Sequence, residues 1–234
     1  MHYYLFLISL FLIPCPARGD DLDPPSWRGM EGSTFQSWGF KFAADTIIKE
    51  TQTACRSLDD NKTPWGHRGS PDKVDNPYQQ QTGICVEYKT MWPMTDKIDW
   101  LEEYNGRQGV WRLKDDSSDF SSIAFIIPGI FSEKATSKET IVQITYTTYN
   151  KHPKVKILIL PRDKSTDYTY IQANYEYQSA LLPNGWLERT FVFDSENCPL
   201  FENVRILPHT RDEIYIDNVV IDTICQDNKV ESEK

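Results

Sequence analysis

Four tyrosines fall within ten residues, Tyr168, Tyr170, Tyr175 and Tyr177, in the run YTYIQANYEY. Each pair is spaced two residues apart, so on an extended chain both rings of a pair share one face. A phenol offers a flat apolar face and a polar tip, a chemistry suited to the face of a sugar or to a protein surface. The same rings suit an edge hairpin lying over the rim of a sandwich. These four are the candidate ligand-binding residues. Glu213 and Asp217 in EIYID also share a strand face by their even spacing, with Tyr215 between them. Glycoside hydrolysis needs such paired carboxylates. The histidines that could assist, His67, His152 and His209, are scattered, and neither a Gly-x-Ser-x-Gly elbow nor a His-Glu-x-x-His helix is present. No residue is therefore assigned a catalytic role, and binding is favoured over turnover, with a glycan-active hydrolase or lyase as the alternative.

The cysteines and the N-terminus set the compartment. Residues 1–19 carry an apolar run, Leu5 to Ile13, then Pro14 and Pro16, and close on Ala17-Arg18-Gly19. That run is too short to cross about 30 Å of hydrocarbon and reads as a cleavable secretory signal. Its removal takes Cys15 and leaves Cys55, Cys85, Cys198 and Cys225, an even set that in an exported chain implies two disulfides. Three connectivities are open. Cys55 with Cys85 and Cys198 with Cys225 is the favoured one, since each closes a loop of about 30 residues and so restricts the unfolded chain by about 3 to 4 kcal/mol. Asn61-Lys62-Thr63 is an N-glycosylation acceptor if the host is a eukaryote. The expected location is extracellular.

The formal charge is −9, and becomes −10 when Arg18 leaves with the signal. Nucleic acid and anionic membrane surfaces both want basic clusters, so neither is expected as a partner. Nor is a membrane span expected, because no apolar tail follows the domain.

About 215 residues remain, enough for one large domain, here 27–225. Residues 20–26 and 226–234 are polar and should be loose ends. Inside them the chain is mostly strands. Residues 122–131, 140–149 and 154–160 are β-branched and aromatic runs, and Asn150-Lys151-His152-Pro153 between the last two predicts a hairpin. Val142, Ile144, Tyr146 and Thr148 alternate with Gln143, Thr145 and Thr147, as in a strand covering a sandwich core. Residues 189–193, 201–207 and 213–222 read as an antiparallel meander. Asp217 reads as a bulge there, because the apolar residues hold one parity at Ile214 and Ile216 and then fill both from Val219 to Ile221. A single short helix is expected at 42–54. Residues 51–98 read as a long irregular insertion pinned by Cys55 and Cys85. Trp65, Trp92, Trp100 and Trp111 in this half are expected to be structural rather than exposed.

The stretch from Trp186 to Cys225, with the closing strand Ile214 to Cys225, resembles the C-terminal half of a MAM domain or of a related jelly-roll carbohydrate-binding module of galactose-binding-like type. Gly29 to Phe40 (GMEGSTFQSWGF), Val110 to Leu113 and residues 122–131 fall where such domains place their earlier strands. The resemblance implies an all-β jelly-roll sandwich of two antiparallel sheets. It also implies a structural calcium between Glu31 and Asp217, with Asn218 and backbone carbonyls completing the 6 to 8 oxygens that calcium takes. The partner it implies is an extracellular glycan or a cell-surface protein.

Overall fold

The computed structural model describes residues 23–40, 73–75, 83–88, 98–115, 121–128, 135–148, 155–162, 171–196, 198–199, 201–209 and 212–227. Thirteen strands lie among these residues: β1 Ser33–Trp38, β2 Lys73–Asp75, β3 Gly83–Tyr88, β4 Ile98–Tyr104, β5 Arg107–Lys114, β6 Ser121–Pro128, β7 Ala135–Thr148, β8 Val155–Arg162, β9 Ile171–Gln172, β10 Tyr175–Leu181, β11 Leu187–Ser195, β12 Phe201–Pro208 and β13 Glu213–Asp227. The larger sheet runs β10-β11-β7-β13-β1-β2, with β5 and β4 sharing the β1 edge of β13, and the smaller runs β3-β6-β12-β8-β9. Neighbouring strands are antiparallel throughout. The protein is an all-β jelly-roll sandwich of two antiparallel sheets.

Side chains from both inner faces fill the core. Val142, Ile144 and Tyr146 of β7 meet Ile123, Phe125 and Ile127 of β6 and Val204 and Ile206 of β12, all fully buried. Trp38 lies against Phe125 with ring centroids 4.7 Å apart. The period of two dictates this packing, because alternate residues of a strand share a face. On β13 the period breaks once. Ile216 pairs Tyr146 and Asn218 pairs Thr145, so Asp217 is an extra residue. That bulge returns Val219 and Ile221 to the face already held by Ile214 and Ile216, and all four reach the core. It also divides the strand edge, with β5 pairing the residues before it and β1 those after.

Several sequence expectations are corrected. The β7–β8 hairpin does not form, because β7 pairs β11 and β13 while β8 pairs β12 and β9. Both strands have apolar faces, and opposing them across the core buries both, whereas pairing edge to edge would not. The meander fails for the same reason, since β11 and β13 lie in one sheet and β12 in the other. Residues 51–98 contribute strands on both sheets, β2 against β1 and β3 against β6. Asp23, expected in a loose segment, is tied down, its carbonyl accepting a 2.6 Å hydrogen bond from Gln143. The helix at 42–54 lies outside the described residues, as do residues 1–19 and Asn61. No helix among the described residues is long and apolar enough to cross a membrane.

Candidate functional site

At one rim the two sheets stand apart and leave a cleft of about 700 Å³ between the β8 edge and β10–β11. The chain crosses from one sheet to the other at Ala173-Asn174, which closes the cleft on one side. That crossing is fixed. Asn174 donates its backbone N–H to Val192 and accepts, through Oδ1, the Asp194 N–H at 2.7 Å.

The floor is apolar and the walls are polar. Ile157, Leu187 and Phe191 line the bottom, with Gln172, Asn174, Glu176, Gln178 and His209 around them. Pairing explains the sorting, because Glu176 and Gln178 stand opposite Phe191 and Arg189 in the β10–β11 register and so point into the cleft. Tyr146 sits at the base, fully buried, with its hydroxyl hydrogen-bonded to Arg189. Burial pushes its phenol above the ordinary value, and the guanidinium pulls it part of the way back. Arg189 in turn donates from Nη2 to Glu176 at 2.9 Å. Burial opposes its charge, but Tyr146 and Glu176 prevail and raise its pKa. The result is a chain of three polar side chains from the core to solvent, ending on a carboxylate whose side chain is 49% exposed.

Of the four candidate tyrosines, Tyr175 and Tyr177 lie on β10 and are 54% and 44% exposed. Both face away from the core, opposite Val192 and Thr190, and Tyr175 also borders the cleft mouth. Tyr168 and Tyr170 lie outside the described residues. An edge hairpin over the sandwich rim was the other reading of these rings, and residues 171–181 do not form one. Instead β9 joins β8 in the smaller sheet and β10 joins β11 in the larger.

The calcium set does not come together. Glu31 is exposed in the turn before β1, whose first residue, Ser33, pairs Ile224. Asp217 lies seven residues back along β13, more than about 20 Å away at the rise of a strand. No ion with oxygen ligands at about 2.3 to 2.6 Å can span that. Asp217 instead takes the Arg107 guanidinium, which also lies over Trp186 at 5.1 Å. Asn218 pairs with Thr145 across the sheet. Among the described residues no cluster of three or more His, Cys, Asp or Glu is placed to hold a metal.

Glu213 is also occupied, by Arg112 at 2.9 Å and by the Tyr215 hydroxyl. Burial works against its charge, but those two donors outweigh it and hold the carboxyl below its ordinary range. Tyr215 is buried and pushed well above the usual phenol value by desolvation and by Glu213. Its ring stacks on Tyr104 at 3.8 Å. The two acids that could have formed a catalytic pair are thus each neutralised by an arginine.

Cys198 and Cys225 form a disulfide, closing a loop of 27 residues. Cys85 lies on β3, and Cys55 lies outside the described residues. His209 borders the cleft and is exposed, while His67 and His152 are outside the described residues. Trp111 is in the core and Trp100 donates its indole N–H to the Phe40 carbonyl; Trp65 and Trp92 are not described.

Sequence reasoning missed Arg189, Glu176 and Tyr146. Nothing in a single charge on an alternating strand marks it as a site. It also missed a legible signal, Asn105-Gly106, the two-residue turn joining β4 to β5. Both residues have positive φ, 51° and 80°. This turn docks on a second Asn-Gly turn, Asn184-Gly185, whose φ values are 61° and 77°. Asn105 Nδ2 donates to the Asn184 carbonyl at 2.7 Å, and Asn184 Nδ2 donates back to the Asn105 carbonyl at 3.2 Å.

No protein-family model matches the chain, and no curated protein matches it. Among solved structures it is similar to the CBM22-1 xylan-binding domain from Paenibacillus barcinonensis, at 11% identity and a TM-score of 0.38, over 61% of this chain and 86% of that one. It is similar to a mutant of CBM29-2, a family 29 carbohydrate-binding module complexed with mannohexaose, at 12% identity and a TM-score of 0.27, over 61% and 93%. It is also similar to the enzymatically active domain of tailspike protein 4 of bacteriophage CBA120, at 10% identity and a TM-score of 0.35, over 59% of this chain and 19% of that one. At such scores these likenesses carry no weight for what this chain binds.

Proposed function

We propose that this chain is an exported carbohydrate-binding β-sandwich that takes its ligand in the cleft between β8 and β10–β11. The observation that supports the reading is the lining itself. Hydrogen-bonding side chains, Gln172, Asn174, Glu176, Gln178 and Arg189, stand over an apolar floor in a cavity of about 700 Å³. Ligand sites combine these two features, since apolar surface supplies affinity and a few placed polar groups supply orientation. A sugar matches both, with C–H faces and many hydroxyls. The hydrolase or lyase alternative has less support. Paired-carboxylate hydrolysis needs two acids about 5 to 10 Å apart, and the described lining of the cleft carries one, Glu176.

A second reading has its own observation. Tyr175, Tyr177 and Leu181 leave large apolar side chains exposed on β10, Leu181 being 71% exposed, and β10 is a sheet edge among the described residues. Exposed edges invite pairing with another chain. A glycan array on the purified protein, run beside the Gln178→Ala and Tyr177→Ala variants, separates the two. The cleft reading expects glycan binding that Gln178→Ala weakens and Tyr177→Ala leaves alone. It is overturned if no glycan binds, or if the cleft variant binds as well as the parent.

A further inference from the structure

Of the arginines that meet carboxylates, Arg28 and Arg189 do so differently. Arg28 grips Asp222 with two parallel bonds, Nε to Oδ1 and Nη2 to Oδ2, each 2.6 Å. This is the full fork that a guanidinium offers a carboxylate. Arg189 gives Glu176 only its Nη2. Its Nε–H is buried and has no hydrogen-bond partner among the described residues. Tyr146 holds the guanidinium from below, so the side chain is fixed while half of its fork is unused. A buried donor without an acceptor costs free energy. The local charge points the same way. In a chain of net −9, the cleft sets two cations, Lys156 and Arg189, against one carboxylate.

We infer that the cleft selects a carboxylated sugar, a uronic acid unit, whose carboxylate seats on Nε and Nη2 of Arg189 and displaces Glu176. This rests on the proposed glycan-binding function and names its ligand class. Glu176 is suited to be displaced. Its side chain is 49% exposed, against 0% for Asp222, so it returns to water with little rearrangement. It makes one bond where the incoming group makes two. Gln172, Asn174 and Gln178 then remain for the sugar hydroxyls, their amides both donating and accepting.

The sign of one substitution separates this from a neutral-sugar site. If Glu176 were an acceptor for hydroxyls, Glu176→Gln would weaken binding. If it occupies the carboxylate's seat, Glu176→Gln replaces a charged competitor by a weaker neutral one and strengthens binding. The probes are a galacturonate hexasaccharide, the same hexasaccharide as its methyl ester, and an oligoglutamate peptide, each titrated calorimetrically at low salt. The acid form is expected to bind at least ten-fold tighter than the ester. Glu176→Gln should tighten the acid form three- to ten-fold, and Arg189→Lys, which keeps the charge but loses the planar fork, should weaken it at least ten-fold at an unchanged melting temperature. If Arg189→Lys lowers the melting temperature, the Glu176→Gln result still decides. Equal binding of acid and ester, or weakening by Glu176→Gln, overturns the carboxylate inference while leaving a glycan-binding cleft standing. Failure of both hexasaccharides also overturns it, and binding of a neutral glycan on the array then shows that the function itself survives. Oligoglutamate binding that matches the sugar acid and responds alike to Glu176→Gln makes the ligand a peptide and overturns the sugar.

Discussion

The two ends of this sandwich handle buried charge in opposite ways. Near the disulfide, Lys138 and Glu202 form an ion pair, Nζ 3.0 Å from Oε2 with side chains 0% and 1% exposed, and Thr140 donates a hydrogen bond to the same oxygen. Arg28 and Asp222 complete a two-bond pair on the other face of the larger sheet. At the far rim, Arg189 and Glu176 make one bond beside an open cleft. Closed pairs hold a fold together, because breaking one leaves a charge stranded in low dielectric. A half-used pair at a wet rim contributes little to stability and is free to exchange partners. Stability and recognition are thereby assigned to different pairs.

The comparison is tested most severely at Glu202. Replacing it by Leu strands the Lys138 ammonium and should cost about 3 to 5 kcal/mol in urea unfolding. Adding Lys138→Met should recover most of that loss, since an apolar pair of similar volume is often no less stable than a buried ion pair. A single variant that unfolds like the parent would show that the closed end is not what holds the fold.

Next in size is the crosslink. Cys198→Ser with Cys225→Ser should lower stability by about 2 to 4 kcal/mol, the scale expected for a loop of this length. Differential scanning with and without reductant checks the same point on the parent. A melting temperature indifferent to reductant would remove the disulfide from the account. Its neighbourhood tolerates little change, because Gly32 has φ +87° and a Cβ there would lie 2.7 Å from the Cys225 carbonyl oxygen.

The Asn-Gly clasp ranks third. Gly106 has φ +80°, and a Cβ there would meet Asn184 Nδ2 at 2.8 Å. Left-handed backbone costs an L-residue about 1 to 2 kcal/mol, while the side-chain amide can swing aside. Gly106→Ala should therefore destabilise by about 1 to 2 kcal/mol, measured by chemical denaturation. A near-neutral result would mean that the docked turns are held by the flanking strands alone.

What the sequence disclosed and what it withheld divide along the same lines as range. Alternation at Val142, Ile144 and Tyr146 marked the inner face of β7, and the parity change around Asp217 marked the bulge, because both are local periodicities. The all-β sandwich was implied by the resemblance to jelly-roll modules, and the Cys198–Cys225 bond was favoured from the even cysteine count and the length of the loop it closes. Strand partners did not follow. Whether β7 turns back on β8 or crosses the core is decided by which apolar faces must be covered, and β11 and β13 supply the cover from far along the chain. The polar face of β7 also misleads, since Gln143, Thr145 and Thr147 are buried at 2%, 1% and 7% exposure. The cleft was illegible for a related reason. Tyr146, Glu176 and Arg189 come from three strands and acquire meaning only when β10 pairs β11 and β11 pairs β7.

The smallest effect is the most telling. Glu176→Gln makes nearly the same chemical change as removing the charge of Glu202, yet it should alter unfolding free energy by no more than about 0.5 kcal/mol, as exposed ion pairs do. Arg189 keeps its Tyr146 partner in the variant, so no charge is stranded, and the glutamine amide oxygen still accepts from Nη2. Tyr175→Ala should be similarly mild for stability, because its ring is 54% exposed. Urea unfolding of Glu202→Gln and Glu176→Gln side by side settles whether the two ends differ. If Glu176→Gln cost as much as its counterpart, Arg189 would be a structural pair like Arg28, its guanidinium would be unavailable for exchange, and the cleft would lose the group on which its selectivity depends.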